Sequence, residues 1–517
     1  MTKRHVLTTT IAGALLASAA QAEMSPESCA ALADVSYPDL RIEQAEFVSG
    51  DAAMIKDVAY PDHCIVTGFL EERTGTDGQN YATGFQSRLP HDWNNRFYFQ
   101  GGAAIDGSIR DAVGTNTGGN PDALTLGYAV ASTDGGHNLG SRANVSFGAE
   151  RKALIDYGYN SIELVGTTAK ALIREAYGSH AAHSYFVGFS NGGRQALQSA
   201  MRTPNMFDGI LAGAPIKEQT KGHVATAWSL KVLGEIAPKD DQGRPLLSKA
   251  YSKTDIDVIN AAITAQCDAL DGLQDGVVDS AKSCDVDLTS AVCTGDKAEG
   301  CISQAQADAY DLVLSGPVNS KGEELYAPYA YDAGSDFVRW HLGDAEEWPN
   351  NGRKARNNSI KMVFRQPADP DFDPWAFDFD KDPIPMANAS QFVDAKSPDI
   401  DAFSLGGGKL IVYHSIGDSG PSAQDTKAWF ETVQNRYGAA QTAEFAQFYM
   451  LTGIGHSRSS GIGPTVFPGL DAIVAWAEKG VTPSMTISGG TPERSRPMCP
   501  YPTYVMWDTG SETWGCK

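Results

Sequence analysis

Residues 185–195 read "YFVGFSNGGRQ", an apolar run that stops at a serine set among glycines. Gly188, Phe189, Ser190, Asn191 and Gly192 fit the pattern G-x-S-x-G. In that pattern a strand turns sharply into a helix and holds the serine hydroxyl up as a nucleophile. Glycines have a steric task in such an elbow, because only small residues let the neighbouring backbone pass. The bare pattern also occurs in ordinary tight turns, so its context decides. "SYFVGFS" (184–190) reads as a buried strand, and "GGRQALQSAMRT" behind it reads as a helix. The context therefore favours the elbow, with the N–H of Asn191 directed to where an oxyanion would form.

On either side of the elbow the chain keeps the same rhythm. "NRFYFQ" (95–100), "GYAVAS" (127–132) and "FDGILAGAP" (207–215) read as further buried strands. "SIELVGTTAKALIREAYG" places apolar residues at helical spacing and stops at Gly178. Such alternation predicts an α/β fold with a doubly wound, mostly parallel sheet. Between 217 and 400 the rhythm breaks into turn-rich runs such as "RQPADPDFDPWAFDFDKDP", which reads as an inserted, loop-rich lid domain. From 401 the alternation resumes with "GGGKLIVYHSIGD", "AQDTKAWFETVQNRYG", "FAQFYMLTGIGH" and "GLDAIVAWAEKG". Residues 23–216 and 401–517 are thus expected to form one catalytic domain interrupted by the lid.

A serine nucleophile needs a base to take its proton and an acid to orient that base. In this fold the order along the chain is Ser, Asp, His, with the last two in loops after later strands. The strand "KLIVYHS" runs into Asp418, and "FAQFYMLTGIG" runs into His456. His414 lies inside its strand and His137 sits in the loop "STDGGH", so both rank behind His456 as the base. A second oxyanion donor is expected from Gly101 or Gly102 in "FYFQGGAAIDG", where an ordinary glycine turn is the competing reading. Trp228, Trp340 and Trp375 in the lid are candidates for stacking on an aromatic substrate, or for plain core packing.

"CDALDGLQDGVVDS" (267–280) repeats aspartate at 268, 271, 275 and 279 with glycines between. Hard carboxylate oxygens in a flexible loop suit calcium, although the spacing is not that of an EF-hand. A solvated acidic turn is the alternative. The run is far in sequence from the candidate catalytic residues, so any ion there would be structural.

Composition narrows the class. Of the 517 residues, 42% are hydrophobic and 20% charged, which suits a sizeable core. A net charge of −22 argues against nucleic acid, whose phosphates would be repelled. "MTKRH", an apolar stretch and "AQA" at 20–22 form an expected secretory signal over 1–22, too short to span a membrane comfortably. All eight cysteines follow it, an even number suited to an oxidising compartment. The sequence does not fix their connectivity. Sequential pairing, Cys29 with Cys64, Cys267 with Cys284, Cys293 with Cys301 and Cys499 with Cys516, is the simplest. A secreted or periplasmic protein acting on small molecules is expected, with no membrane or nucleic-acid partner and an oligomeric state the sequence leaves open.

Together these motifs resemble the tannase and feruloyl esterase family of α/β hydrolases. "YPDHCIVTGFL", "SRLPHDWNNRFYFQGG", "GYAVASTDGGH", "DYGYNSIELVGTTAKALI", "YFVGFSNGGRQAL", "FDGILAGAP", "CDALDGLQDGVVDS", "GGGKLIVYHSIGD" and "RPMCPYP" stand in that family's order over nearly the whole chain. The resemblance implies a triad of Ser190, Asp418 and His456 and cleavage of esters of aromatic acids: feruloyl, galloyl or phthalate-type monoesters. It also implies calcium (Ca2+) in the lid, held by Asp268, Asp271 and Asp275 with the carbonyls of Leu273 and Val277. The four sequential cysteine pairs match the family's usual disulfides. One departure stands out: the family usually joins the residue before the nucleophile to the residue after the histidine by a disulfide, and here those positions are Phe189 and Ser457. The rival readings are a triad esterase for aliphatic or hydroxyalkanoate-oligomer esters, and a calcium-stabilised binding protein on a hydrolase scaffold.

Overall fold

The computed structural model describes residues 23–50, 54–55, 57–116, 120–138, 144–279, 284–343, 357–456, 461–490 and 493–517. The expected signal (1–22) and Ser457 lie outside them. Nine strands form one sheet: β1 (Leu40–Val48), β2 (His63–Thr74), β3 (Asn80–Pro90), β4 (Arg96–Gln100), β5 (Ala129–Thr133), β6 (His183–Phe189), β7 (Gly209–Gly213), β8 (Lys409–Ser415) and β9 (Ala446–Leu451). Their spatial order is β1-β2-β3-β5-β4-β6-β7-β8-β9. The first four in that order pair antiparallel, and every pairing from β5 to β9 is parallel.

Strand period places alternate residues on opposite faces, and two separate cores follow from it. Phe97, Phe99, Phe186, Ile210, Val412 and Phe448 pack on one face. Tyr98, Tyr185, Val187, Leu211, Ile411 and Tyr449 pack on the other. Helix α1 (Ser161–Tyr177) covers the first face with Ile162, Val165, Ala169, Leu172, Ile173 and Ala176, a stripe at three- and four-residue spacing. Gly178 ends it at φ 69°, a left-handed conformation that glycine adopts without steric cost. Each such leucine or isoleucine contributes about 1.5–3 kcal/mol by burial. Helix α2 (Asn191–Arg202) lies against the same face.

Residues 217–400 are more helical than their turn-rich sequence suggests. Helices α3 (Gln219–Ile236), α4 (Lys253–Cys267) and α5 (Gln304–Ser315) surround an apolar cluster whose fully buried members all lie between Ala225 and Leu342. Helix α3 buries Gln219, Thr220, His223, Val224, Ala227, Ser229 and Leu230, so more than one side of it is covered. A helix covered on several sides carries no single apolar stripe, which hides it from a periodicity reading. Cys267–Cys284 and Cys293–Cys301 close this segment, and Cys29–Cys64 and Cys499–Cys516 form as well. The simplest pairing is the observed one. No helix among the described residues is long and apolar enough to cross a membrane.

At the amino end of β4, Arg96 grips Glu478 of α7 (Gly469–Lys479; α6 is Ala423–Tyr437) with two bonds of 2.6 and 2.8 Å. Tyr185 of β6 donates to the same carboxylate at 2.7 Å. The Arg96 guanidinium, against some burial, holds the Glu478 carboxyl down to about 2 from an ordinary 4.5. A carboxyl lowered on folding binds fewer protons in the folded state, so its stabilisation is complete above about pH 4.5 and disappears as pH falls toward 2. Glu478→Gln is expected to cost roughly 1–3 kcal/mol at neutral pH. The difference in Tm from the wild type should shrink as pH drops through that window. A gap in Tm that is the same at pH 7 and pH 3 would contradict this assignment.

Candidate active site

β6 delivers Ser190 at the carboxyl edge of the sheet, and α2 starts at the next residue. Ser190 takes φ 64° and ψ −121°, a region that costs a side-chain-bearing residue about 1–3 kcal/mol. The surrounding glycines explain how the strain is tolerated. A Cβ on Gly188 would fall 2.2 Å from the Gly192 carbonyl oxygen, and one on Gly193 would fall 2.4 Å from that of Gly213. A Cβ on Gly192 would meet the Gly102 oxygen at 2.7 Å. Backbone therefore lies on backbone at three points around the serine.

β8 and β9 end beside it and lead to the other two expected residues. Ser190 Oγ is 2.8 Å from His456 Nε2, and His456 Nδ1 is 2.6 Å from Asp418 Oδ2. His414 Nε2 lies 3.1 Å from that same oxygen, with its Nδ1 bonded to Thr426 Oγ1 at 2.8 Å. The N–H of Gly420 donates to Asp418 Oδ1 at 2.8 Å. Burial acts to raise the Asp418 carboxyl, but His456 and His414 outweigh it and hold the group below its ordinary value. An ionised carboxylate, an imidazole and a hydroxyl in this order can move the serine proton onto the imidazole. His414 is thus bonded to the aspartate rather than to the serine.

The remaining sequence candidates sort by position. His137 is buried and stacked on Phe147 at 3.6 Å between ring centres, and burial pushes its imidazole down to about 3. It is a core residue. Trp228 packs edge-on against Phe379, and Trp375 packs against the apolar cluster between Ala225 and Leu342. Trp340 alone reaches the site, its ring perpendicular to His456 with centres 5.1 Å apart. Phe189 covers His456 from another side at 5.0 Å and stacks on Tyr413. It leaves a residual cavity of about 10 Å³ toward Asp418 and Gly455, room for at most one water.

The glycine loop after β4 departs from expectation. The N–H of Gly101 donates to the Val187 carbonyl at 2.9 Å, continuing the sheet ladder, and that of Gly102 donates to Gln195 Oε1 at 2.8 Å. Both amides are therefore committed. Gln195 in turn donates to Asp106, which also accepts from the Asn191 side chain, so the loop is tied to the start of α2. Asp106 and Gln195 escaped the sequence reading, because nothing in their local pattern marks a contact across 89 residues.

The acidic loop is held by its own backbone N–H groups and by arginines of the tail. Among the described residues no three His, Cys, Asp or Glu side chains come together as a metal-binding group. Asp275 pairs with Arg494 at 3.1 Å and Arg496 at 2.8 Å, and Arg496 also meets Asp279. Asp268 accepts the N–H groups of Asp275 and Gly276, and Asp271 those of Leu273 and Asp279. Burial pushes the Asp271 carboxyl up to about 7, with the charges of Asp275 and Asp268 adding to it. The donor chemistry still fits a hard cation: Asp271 is a fully buried carboxylate whose bonded partners are amides, and the charges of Asp275 and Asp268 act on it.

A family profile described as "Tannase and feruloyl esterase" matches residues 64–514. A mono(2-hydroxyethyl) terephthalate hydrolase from Piscinibacter sakaiensis is 36% identical over 501 residues, spanning 86% of this chain and 82% of its own. Among solved structures, feruloyl esterase B from Aspergillus oryzae superposes with a TM-score of 0.79 at 20% identity, covering 95% of this chain and all of its own. Tannin acyl hydrolase from Aspergillus niger gives 0.72 at 20% identity, covering 96% and 95%. The sheet with its helices is therefore an α/β-hydrolase fold. The chain belongs to the tannase and feruloyl esterase family and is a carboxylic ester hydrolase of that type.

Proposed function

We propose that the chain is a secreted or periplasmic serine esterase that hydrolyses small esters of aromatic acids through Ser190, His456 and Asp418. The observation that carries this reading is the unbroken chain of hydrogen bonds from the strained Ser190 hydroxyl through His456 to a buried Asp418. Ser190 Oγ attacks the ester carbonyl carbon while His456 Nε2 takes its proton, and Asp418 steadies the imidazolium. The intermediate collapses by breaking the bond to the alcohol oxygen, which leaves with the proton from His456. Water then repeats the sequence on the acyl-serine and frees the acid.

The developing oxyanion needs N–H donors that nothing else has taken. Asn191, first residue of α2, has an amide with no acceptor within its own helix. Because Gly101 and Gly102 are committed, we assign the second donor to Ala103, the next amide along the loop. The aromatic-acid class is supported by the resemblance of the chain and by the aromatic faces of Phe189 and Trp340 beside His456. The relative that is 36% identical bears the name of a terephthalate monoester hydrolase, which favours the phthalate-type monoester within that class. Four disulfides support export to an oxidising compartment. On the same reading residues 217–400 act as the lid, and the loop of Asp268, Asp271 and Asp275 takes structural calcium with the carbonyls of Leu273 and Val277. The ion has no part in the reaction.

Release of acid from methyl ferulate, methyl gallate, a terephthalate monoester, a short aliphatic ester and a 3-hydroxybutyrate oligomer tests the substrate class. Turnover of the aromatic esters is expected, falling about a million-fold in Ser190→Ala. Turnover of the aliphatic or hydroxybutyrate esters alone would remove the aromatic assignment and keep the triad. For the ion, calcium is expected to raise the Tm of chelator-treated protein, and Asp271→Asn to abolish that response. A Tm indifferent to both calcium and EDTA would sink the calcium assignment.

A further inference from the structure

Beyond the ends of β8 and β9 the sheet ladder no longer holds the two loops that carry Asp418 and His456. Asp418 lies three residues past Ser415, and His456 lies five past Leu451. Yet the bond between them is 2.6 Å, so something outside the ladder sets their spacing. A bond from Ser415 Oγ to the Ile454 carbonyl ties the two loops near their roots. Nearer the tips, the tie comes from a different part of the chain.

We propose that Asp336, carried by the inserted segment, is a positioning residue that fixes the Asp418 and His456 loops relative to each other. This inference rests on the esterase reading above. One carboxylate oxygen of Asp336 accepts the backbone N–H of Ser419 at 3.1 Å. The other accepts the backbone N–H of His456 at 3.0 Å and the indole N–H of Trp340 at 3.0 Å. A single buried side chain thus bonds to the residue after Asp418, to His456 itself and to the indole that stands perpendicular to the imidazole. Ser335 Oγ adds a bond of 2.7 Å to Ser419 Oγ.

The sequence makes room for this contact on both loops. A Cβ on Gly455 would fall 2.4 Å from the Asp336 carboxyl carbon, so only glycine admits the carboxylate there. A Cβ on Gly420 would fall 2.6 Å from the Trp340 ring. Bonds from N–H groups to an ionised carboxylate are about twice as strong as neutral ones, and three of them share one anion here. The same negative charge lies close to the imidazolium formed when His456 takes the serine proton, where it favours the charged state. In a chain with phenylalanine at 189, this carboxylate supplies a non-covalent tie between the loops.

Asp336→Asn is nearly isosteric but presents an amide NH2 to donors, so at least one of the three bonds is lost. A second variant, Gly455→Ala, pushes the carboxylate away by another route. Asp394→Asn is the control: Asp394 is a buried carboxylate of the same segment, but it accepts from the N–H and the hydroxyl of Thr220, away from both loops. For both test variants kcat is expected to fall about 30-fold or more with KM within about threefold, because misplacement by a fraction of an ångström acts on the reacting geometry. The low-field proton resonance of the His456–Asp418 hydrogen bond should broaden or vanish in both and persist in Asp394→Asn, whatever the change in Tm. Retention of kcat within about threefold, or of the resonance, in Asp336→Asn would overturn the proposal. The resonance is read without substrate. If wild-type protein turns over no ester, the esterase reading fails, and the resonance still decides whether Asp336 positions the histidine.

Discussion

The backbone at Ser190, forced into φ 64° and ψ −121° between a strand and a helix, constrains everything around it. Holding a serine there requires that the carbonyls of Gly192, Gly102 and Gly213 come close to positions where any other residue would carry a Cβ. The glycines of "GFSNGG" follow from that geometry. So does the adjacency of β4 and β6, because the loop after β4 must lie on the elbow for Gly101 and Gly102 to pack there. The sheet edge then has one outcome: the loops after β4, β6, β8 and β9 gather at a single crevice, where open α/β sheets bind their ligands.

Around that elbow the site is built in layers of diminishing regularity. The serine is set by backbone sterics and the first turn of α2. Asp418 and His456 depend on loops, and the loops depend on side chains from elsewhere: His414 and Gly420 on the carboxylate, Phe189 and Trp340 on the imidazole. Trp340 comes from the stretch 217–400, and Asp336 of the same stretch accepts N–H groups from both loops. The acidic loop and the arginines of the β-strand Arg494–Pro497 join that stretch to the tail of the chain.

The parallel half of the sheet was legible because its strands are short apolar runs separated by helices of clear period. The elbow was legible because its glycines and serine are local in sequence. The three antiparallel strands β1–β3 were not, since the sequence reading names no strand before Asn95. β2, for instance, mixes Val66, Phe69 and Leu70 with Thr67, Glu71 and Glu72 along a partly exposed face. The glycines after β4 mark the close approach of that loop to the elbow, while the acceptors that Gly101 and Gly102 N–H take, Val187 and Gln195, leave no local mark in the sequence. Asp106, Gln195 and Asp336 were invisible, as each acts across long sequence separations that no local pattern records. Sequential cysteine pairing, by contrast, needed only proximity along the chain.

The measurement that bears most directly on the account is rapid acid quenching during turnover of an aromatic ester, followed by peptide mapping of the acylated residue. The account predicts an acyl group on Ser190, formed at least as fast as the steady-state rate and absent from Ser190→Ala. Ester turnover with no acyl adduct on Ser190, or with undiminished rate in Ser190→Ala, would contradict it.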